Sequence, residues 1–200
     1  MSALFDRLER LFHASSHVGA LGLRDESAFA PQTLRDAAVL IAVTDRPEPG
    51  VLLTHRPETM TTHPGQVAFP GGKLEPGEDA IAAALREAHE ELGIDPAKVR
   101  IVGTSDSFVT GSGYALTPVL GVVPAELEIR PDPREVSAWF EAPLRFVLDQ
   151  ANHVSRTGMF RGHVRPYTEI EWQGHRIWGI TAGILSNLSH RLAWQELVDG

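Results

Sequence analysis

The pattern of apolar and polar positions predicts one strong amphipathic helix in a chain that otherwise favours strands. Over residues 78–92, apolar side chains recur every three or four positions, and they are Ile81, Leu85, Ala88 and Leu92. Gly93 follows as a helix stop signal. The N-terminal segment MSALFDRLERLF has the same spacing and predicts a second amphipathic helix.

Between residues 37 and 141, six segments are rich in β-branched and aromatic residues and are bounded by turn-forming residues, which predicts strands: 37–43, 51–56, 65–70, 99–106, 114–123 and 135–141. The turn-forming DRPEPG joins the first two into a hairpin, and HVRPYTEIEW and HRIWG form another that turns at Gly174. Residues 143–149 predict a short helix and 180–192 a closing helix. The sequence contains no internal repeat and no linker, so we expect one domain over 37–192, a helix and connection over 1–36, and a tail over 193–200.

Composition narrows the class of protein. The 200 residues are 42% hydrophobic and 22% charged, with a formal net charge of -8 and no cysteine. The negative net charge argues against binding nucleic acid through a broad basic surface. An anionic small molecule would therefore have to bind at a local cluster of suitable groups. We expect no membrane span and no thiolate chemistry, and the absence of cysteine fits a cytoplasmic location.

The long helix concentrates carboxylates. Glu87 and Glu91 project within about 40° of each other at 3.6 residues per turn, and Glu90 lies further round the same side. Their mutual repulsion is relieved by a cation, and carboxylate oxygens suit Mg²⁺ or Mn²⁺. For the motif in isolation, the alternative is a solvated helix face with an ion pair between Arg86 and Glu90.

The full spacing decides between these interpretations. Gly72, five residues, Glu78, seven residues and then REAHEELGI resembles the Nudix box, with Ala88 smaller than the usual aliphatic residue. The resemblance implies an α/β (α+β) fold, a Nudix-type α/β/α sandwich with a central mixed sheet, and hydrolysis of a nucleoside diphosphate linked to another group. It also implies metal ligation by Glu87, Glu90 and Glu91, with Arg86 orienting the glutamates and Glu90, Glu91 and Arg86 as catalytic residues. Glu90 and Glu135 are both candidates for the general base.

The segment ahead of the box narrows the substrate. LLTHRPETMTTHPGQVAFPGG resembles the signature of coenzyme A pyrophosphatases, except that Thr61 replaces its second arginine. The implied substrate-binding residues are Arg56, His63, Gly65, Phe69, Gly71 and Gly72. Thr61 can offer a hydroxyl but no bidentate grip on a phosphate.

These resemblances imply a Mg²⁺- or Mn²⁺-dependent pyrophosphohydrolase that cleaves coenzyme A or acyl-coenzyme A to 3′,5′-ADP and (acyl-)4′-phosphopantetheine. The alternatives are hydrolysis of ADP-ribose or NADH and, in another class, nucleotide binding without cleavage. The partner is then a small nucleotide, with no nucleic acid or membrane, and a homodimer stays open. We expect Trp139, Phe140 and Trp178 in the core. Phe108, Tyr114 and the loop at 111–113 are candidates for the border of the site.

Overall fold

The computed structural model describes residues 2–15, 23, 26–60, 63–160 and 162–193. Within them the helices are α1 (Ala3–Ala14), α2 (Ala80–Leu92), α3 (Leu144–Leu148) and α4 (Ile180–Arg191). The strands are β1 (Arg35–Asp45), β2 (Gly50–His55), β3 (Val67–Ala68), β4 (Gly71–Lys73), β5 (Arg100–Thr104), β6 (Phe108–Val109), β7 (Tyr114–Pro124), β8 (Ala138–Pro143), β9 (Val154–Phe160), β10 (His163–Trp172) and β11 (His175–Trp178).

A mixed sheet forms the centre of the fold, in the order β3-β2-β1-β7-β5, with β4 and β6 on the ends of β1 and β7 and β8 beside β2. β1 and β7 run parallel from Arg35, opposite Tyr114, to Asp45, opposite Pro124. β1 and β2 form the predicted antiparallel hairpin, with Val43 opposite Val51. The predicted α+β class with a central mixed sheet is confirmed.

Alternation along β1 divides the core into two layers. Ala38, Leu40 and Ala42 face α2, whose alanines Ala83, Ala84 and Ala88 are fully buried against them. Ile41 and Val43 face the opposite layer, which contains Leu8 and Phe12 of α1 together with apolar residues of α3 and α4. The sheet is therefore covered on both faces, and the small Ala88 allows α2 to pack close to it.

Local signals fix both ends of α2. The Asp79 side chain accepts a hydrogen bond from the Ala82 amide at 2.8 Å, so the helix begins at Ala80 and not at 78. Gly93 ends it in the left-handed region with φ 70°, and its amide donates to the His89 carbonyl at 2.9 Å. The predicted stop is confirmed.

A second, antiparallel sheet in the order β11-β10-β9 lies beside the first. β10 and β11 form the predicted hairpin around Gly174, where Trp172 lies opposite His175. The Thr181 hydroxyl at the start of α4 donates to the Val67 carbonyl of β3 at 2.9 Å. His55 Nε2 of β2 lies 2.8 Å from His175 Nδ1 of β11, so one hydrogen bond joins the two sheets and the Thr181 bond joins α4 to the first sheet.

Several sequence predictions differ from the structure. Trp139 is 39% exposed, so its expected place in the core is wrong: it lies on β8 with its ring outward, while Phe140 packs against the core. β4, β6 and β9 were not predicted. β8 spans Ala138–Pro143 and not 135–141, because the preceding residues form a loop. The domain bounds stay a prediction, although α1 contributes buried side chains to the core, and residues 194–200 of the tail lie outside the described residues. No helix in the described ranges has the length and apolar character needed to cross a bilayer.

Candidate active site

The two glycines ahead of α2 let a loop approach closely. Gly71 and Gly72 pair with Val39 and Ala38 of β1. A Cβ on Gly71 would lie 2.6 Å from the Val39 Cα, so the backbone itself excludes a larger residue. A Cβ on Gly72 would lie against the Glu87 carboxylate. Gly72 therefore leaves the space that the Glu87 carboxylate fills.

Arg86 joins this loop to the helix. Its Nε donates to Glu78 Oε1 at 2.8 Å and its Nη2 to Glu78 Oε2 at 3.0 Å, a bidentate pair that holds the pKa of Glu78 below its ordinary value. Nη2 also donates to the Lys73 carbonyl at 2.9 Å. Nη1 donates to Glu87 Oε1 at 3.0 Å and to Glu90 Oε2 at 3.1 Å. These contacts are those of a positioning residue for the glutamates.

Three carboxylates meet beside the loop. One oxygen each of Glu87, Glu91 and Glu135 lies within 4.8 Å of the others. Glu91 is only 4% exposed. Burial, followed by the charges of Glu87 and Glu135, raises the pKa of Glu91 to about 8, against the opposing effects of Arg56 and the Gly71 amide. Burial also raises the pKa of Glu87, against its hydrogen bond to Arg86.

The loop between β7 and β8 delivers Glu135 to this cluster. The Asp132 amide donates to the Glu91 carbonyl at 2.9 Å, which fastens the loop to the end of α2. The Asp132 carbonyl then accepts from the amides of Glu135 and Val136 at 3.0 and 2.8 Å. Val136 is 2% exposed and anchors the turn in the core. Glu135 is therefore positioned by Asp132 on one side and by the buried Val136 on the other, and its carboxylate lies near those of Glu87 and Glu91.

Glu90 occupies a different position from the other two glutamates of the box. Its side chain is 50% exposed, and its carboxylate pairs with Arg86 outside the cluster of Glu87, Glu91 and Glu135. The ion pair considered for an isolated helix face therefore exists, although Arg86 makes it within a larger network. The metal-binding and catalytic roles of Glu90 stay predictions.

The other residues expected to bind substrate surround the same space. Arg56, His63, Phe69, Gly71 and Gly72 line one cavity with the acidic cluster, whereas Gly65 does not. His63 Nδ1 lies 3.0 Å from Gln66 Oε1, and Phe69 is 3% exposed. The Arg56 Nε is buried with no hydrogen-bond partner in the described part of the chain. Thr61 lies outside the described residues.

The cavity has a volume of about 1110 Å³ and extends well beyond the end that contains the acidic cluster. Its far walls come from the loop at 110–112, from β7 and from the second sheet. The sequence predicted only part of these walls. Phe108, Tyr114 and the loop border the cavity as considered from the sequence, and Trp178, expected in the core, is half-buried on its wall. The wall residues that the sequence did not single out include Met159, Phe160, Arg165 and Tyr167. They lack a local motif, because pairing of β9 with β10 is what assembles them.

The donor set fits a hard divalent cation, since three crowded carboxylates supply only oxygen ligands and one of them is buried. The sandwich presents this cluster from α2 and from the loop between β7 and β8, with Gly72 beside Glu87, and this arrangement is the one expected of a metal-dependent hydrolase of phosphoric anhydrides.

Comparison with known proteins agrees with this class. Residues 34–161 match the family described as NUDIX domain. NudL proteins, described as uncharacterized Nudix hydrolases, from Enterobacter sp. (strain 638) and Escherichia coli (strain K12) are each 42% identical and cover 78% of this chain and 81% of their own length. The crystal structure of RenU, a Nudix hydrolase from M. smegmatis, is 25% identical with a TM-score of 0.51 and covers 60% of this chain and 76% of its own. The chain belongs to the Nudix hydrolase family, whose members use divalent metal ions and act on small nucleotide derivatives.

Proposed function

We propose that this hydrolase cleaves the pyrophosphate of coenzyme A or acyl-coenzyme A to 3′,5′-ADP and (acyl-)4′-phosphopantetheine. The observation that carries the proposal is the position of Arg56. This residue belongs to the segment that resembles coenzyme A pyrophosphatases and borders the cavity with Glu87 and Glu91. Its Nε is buried and has no hydrogen-bond partner among the residues that the structure describes. A buried guanidinium NH that lacks an acceptor is satisfied when a phosphate oxygen arrives.

The size of the cavity supports a large substrate. The cavity volume of about 1110 Å³ is slightly above the range of about 300–1,000 Å³ that is typical of small-molecule sites. The far walls of the cavity carry aromatic and aliphatic side chains. One end therefore suits the pyrophosphate, whereas the rest has room for an adenine ring and a long, weakly polar arm.

The chemistry follows from the chain's own groups. Glu87 and Glu91 would hold Mg²⁺ or Mn²⁺, with Glu135 or Glu90 completing the set, and Arg86 keeps the helix glutamates in place. The bound ion would neutralise phosphoryl charge and acidify a water molecule. Water adds to one phosphorus atom while the bridging P–O bond breaks, so each product keeps one of the two phosphates of the pyrophosphate, and 3′,5′-ADP also retains its 3′-phosphate. Glu135, on a loop outside the helix, is the candidate that accepts the proton of the attacking water.

The deciding experiment is a competition among coenzyme A, acetyl-coenzyme A, ADP-ribose and NADH with Mg²⁺ or Mn²⁺, with products identified by mass. We expect coenzyme A compounds to have the highest kcat/KM and to yield 3′,5′-ADP. Equal or faster cleavage of ADP-ribose or NADH would instead support the second candidate function, which Thr61 favours because the second signature arginine is missing. Binding without turnover under either metal would contradict both.

The same panel separates the candidate bases. If Glu135 accepts the proton, Glu135→Gln lowers kcat and leaves the KM for coenzyme A nearly unchanged. An equal loss in Glu90→Gln with little loss in Glu135→Gln would assign the role to Glu90. Circular dichroism and thermal unfolding of both variants check that the fold survives.

A further inference from the structure

Arg165 is a cation at the far end of the cavity. It lies on β10, is half-buried and lines the same cavity as the acidic cluster. Its guanidinium carbon lies 4.3 Å from the centroid of the Phe29 ring. This cation–π contact restricts where the guanidinium can go, so the charge is placed before any ligand binds.

Arg165 differs from the other arginines of this sheet in its partners. Arg156 and Arg176 both bind the Glu169 carboxylate, at 3.3 and 2.7 Å. Across the described ranges, Arg165 forms no ion pair, and Phe29 is its only cation–π partner. A half-buried guanidinium without a carboxylate has hydrogen-bonding capacity available for an anion.

The register of the central sheet shows that the cavity has two ends, one beside the acidic cluster and one beside Tyr114. Gly71 lies opposite Val39 of β1, whereas Tyr114 lies opposite Arg35, four residues earlier. At about 3.3 Å per residue, these two positions are about 13 Å apart along the strand. The loop just before Tyr114 therefore belongs to the far end of the cavity.

Arg165 belongs to that far end through a chain of contacts. A Cβ on Gly111 would lie 2.7 Å from the Phe160 ring, and that ring packs edge-on against Phe29 at 5.9 Å between centroids. The Arg165 guanidinium lies over the Phe29 ring. The carboxylate at this end, Glu26, accepts a hydrogen bond from the Gly111 amide at 2.6 Å.

We propose that Arg165 binds the phosphomonoester on the ribose of the nucleotide half, a phosphate separate from the pyrophosphate, and thereby selects nucleotide derivatives that carry this ribose phosphate over those that lack it. The inference rests on the proposed function and adds a residue that determines specificity. A dianionic phosphomonoester gains charge-assisted hydrogen bonds from the guanidinium fork, whereas a free hydroxyl gains only a neutral-acceptor bond. In a chain of net charge -8, with threonine at position 61, such a cation must be supplied locally.

The test compares substrates that differ by this one phosphate. Wild type, Arg165→Gln and Arg165→Lys are assayed with coenzyme A and with 3′-dephospho-coenzyme A. We expect Arg165→Gln to raise the KM for coenzyme A about ten- to a hundredfold and to leave kcat and the constants for dephospho-coenzyme A nearly unchanged. Arg165→Lys should recover part of the loss. An equal loss on both substrates, or no loss on coenzyme A, would overturn the inference.

Arg156→Gln is the matched control, since it removes the same charge from the same sheet at a position outside the cavity. We expect its ratio of kcat/KM values for the two substrates to equal that of wild type. If it changes the ratio as much as Arg165→Gln does, the effect comes from net charge and the specific site is rejected.

A binding measurement keeps this inference separate from the proposed function. By titration calorimetry, wild type should bind 3′,5′-ADP more tightly than AMP, and Arg165→Gln should lose that preference. If neither coenzyme A nor 3′-dephospho-coenzyme A is cleaved but the binding preference exists and depends on Arg165, the proposed function fails and the phosphate site stands. If coenzyme A is cleaved and wild type shows no preference, the proposed function stands and the phosphate site fails.

Discussion

Replacement of Glu91 by glutamine should separate the two roles of this buried carboxylate. Glutamine keeps the size of the side chain and an oxygen that can accept from the Gly71 amide, but it carries no charge. We expect Glu91→Gln to abolish metal-dependent hydrolysis. In the metal-free protein, we expect the same change to increase the free energy of unfolding at alkaline pH, because an ionised carboxylate is removed from a buried, negatively charged site.

The magnitude follows from the pKa of Glu91. Its folded value is about 8 against an ordinary 4.5, a difference of about 3.5. At about 1.4 kcal/mol per pKa unit, ionising Glu91 costs the metal-free fold up to about 5 kcal/mol. This is an upper bound, because sharing of the proton with Glu87, whose pKa is also raised, lowers the cost. Since the folded pKa is the higher one, the favourable contribution is complete below about pH 4.5 and is lost as the pH rises through 8.

The assay is urea unfolding of wild type and Glu91→Gln in chelator at pH 5, 7 and 9. The variant should gain on wild type by several kcal/mol between pH 5 and pH 9, whereas Mn²⁺ should stabilise only the wild type. Glu171→Gln, which removes an exposed carboxylate of β10, is the control and should follow wild type. A difference between wild type and Glu91→Gln that stays constant from pH 5 to pH 9 would refute the reasoning.

Three other perturbations test the site and its support. Gly72→Ala places a methyl group against the movable Glu87 carboxylate, so we expect at least a tenfold loss of kcat/KM with little change in Tm; wild-type activity would show that this carboxylate needs no fixed position. Arg86→Lys loses the bidentate contact to Glu78, and we expect its effect on kcat to be strongly non-additive with Glu78→Gln in a double-mutant cycle, whereas simple additivity would mean that the pair does not act as a unit. Burial and the neighbouring His55 lower the pKa of His175 from 6.5, so the folded state disfavours its protonation and stability is lost as the pH falls below 6.5. His175→Gln should lose less unfolding free energy than wild type between pH 7.5 and pH 5.5, and equal losses would contradict this.

The parts of the fold that the sequence predicted well depend on near neighbours in the chain. The start and end of α2 follow from Asp79 and Gly93, which act within one turn of the helix. The hairpins β1–β2 and β10–β11 follow from short turns between strand-forming segments. Weak elements such as β4 and β6 have too few residues for a periodic signal and exist because they pair with β1 and β7.

The candidate site divides in the same way. Glu78, Arg86, Glu87 and Glu91 are set by the spacing of a single loop and helix, so the sequence by itself determined the acidic face, the need for a cation and the family. The tertiary structure decided the rest: Glu135 joins the cluster because Asp132 bonds to the end of α2, and Glu90 pairs with Arg86 away from it. Trp139 is exposed and Arg165 reaches the cavity because of how the sheets pair, and pairing between distant strands is a long-range property that no local spacing records.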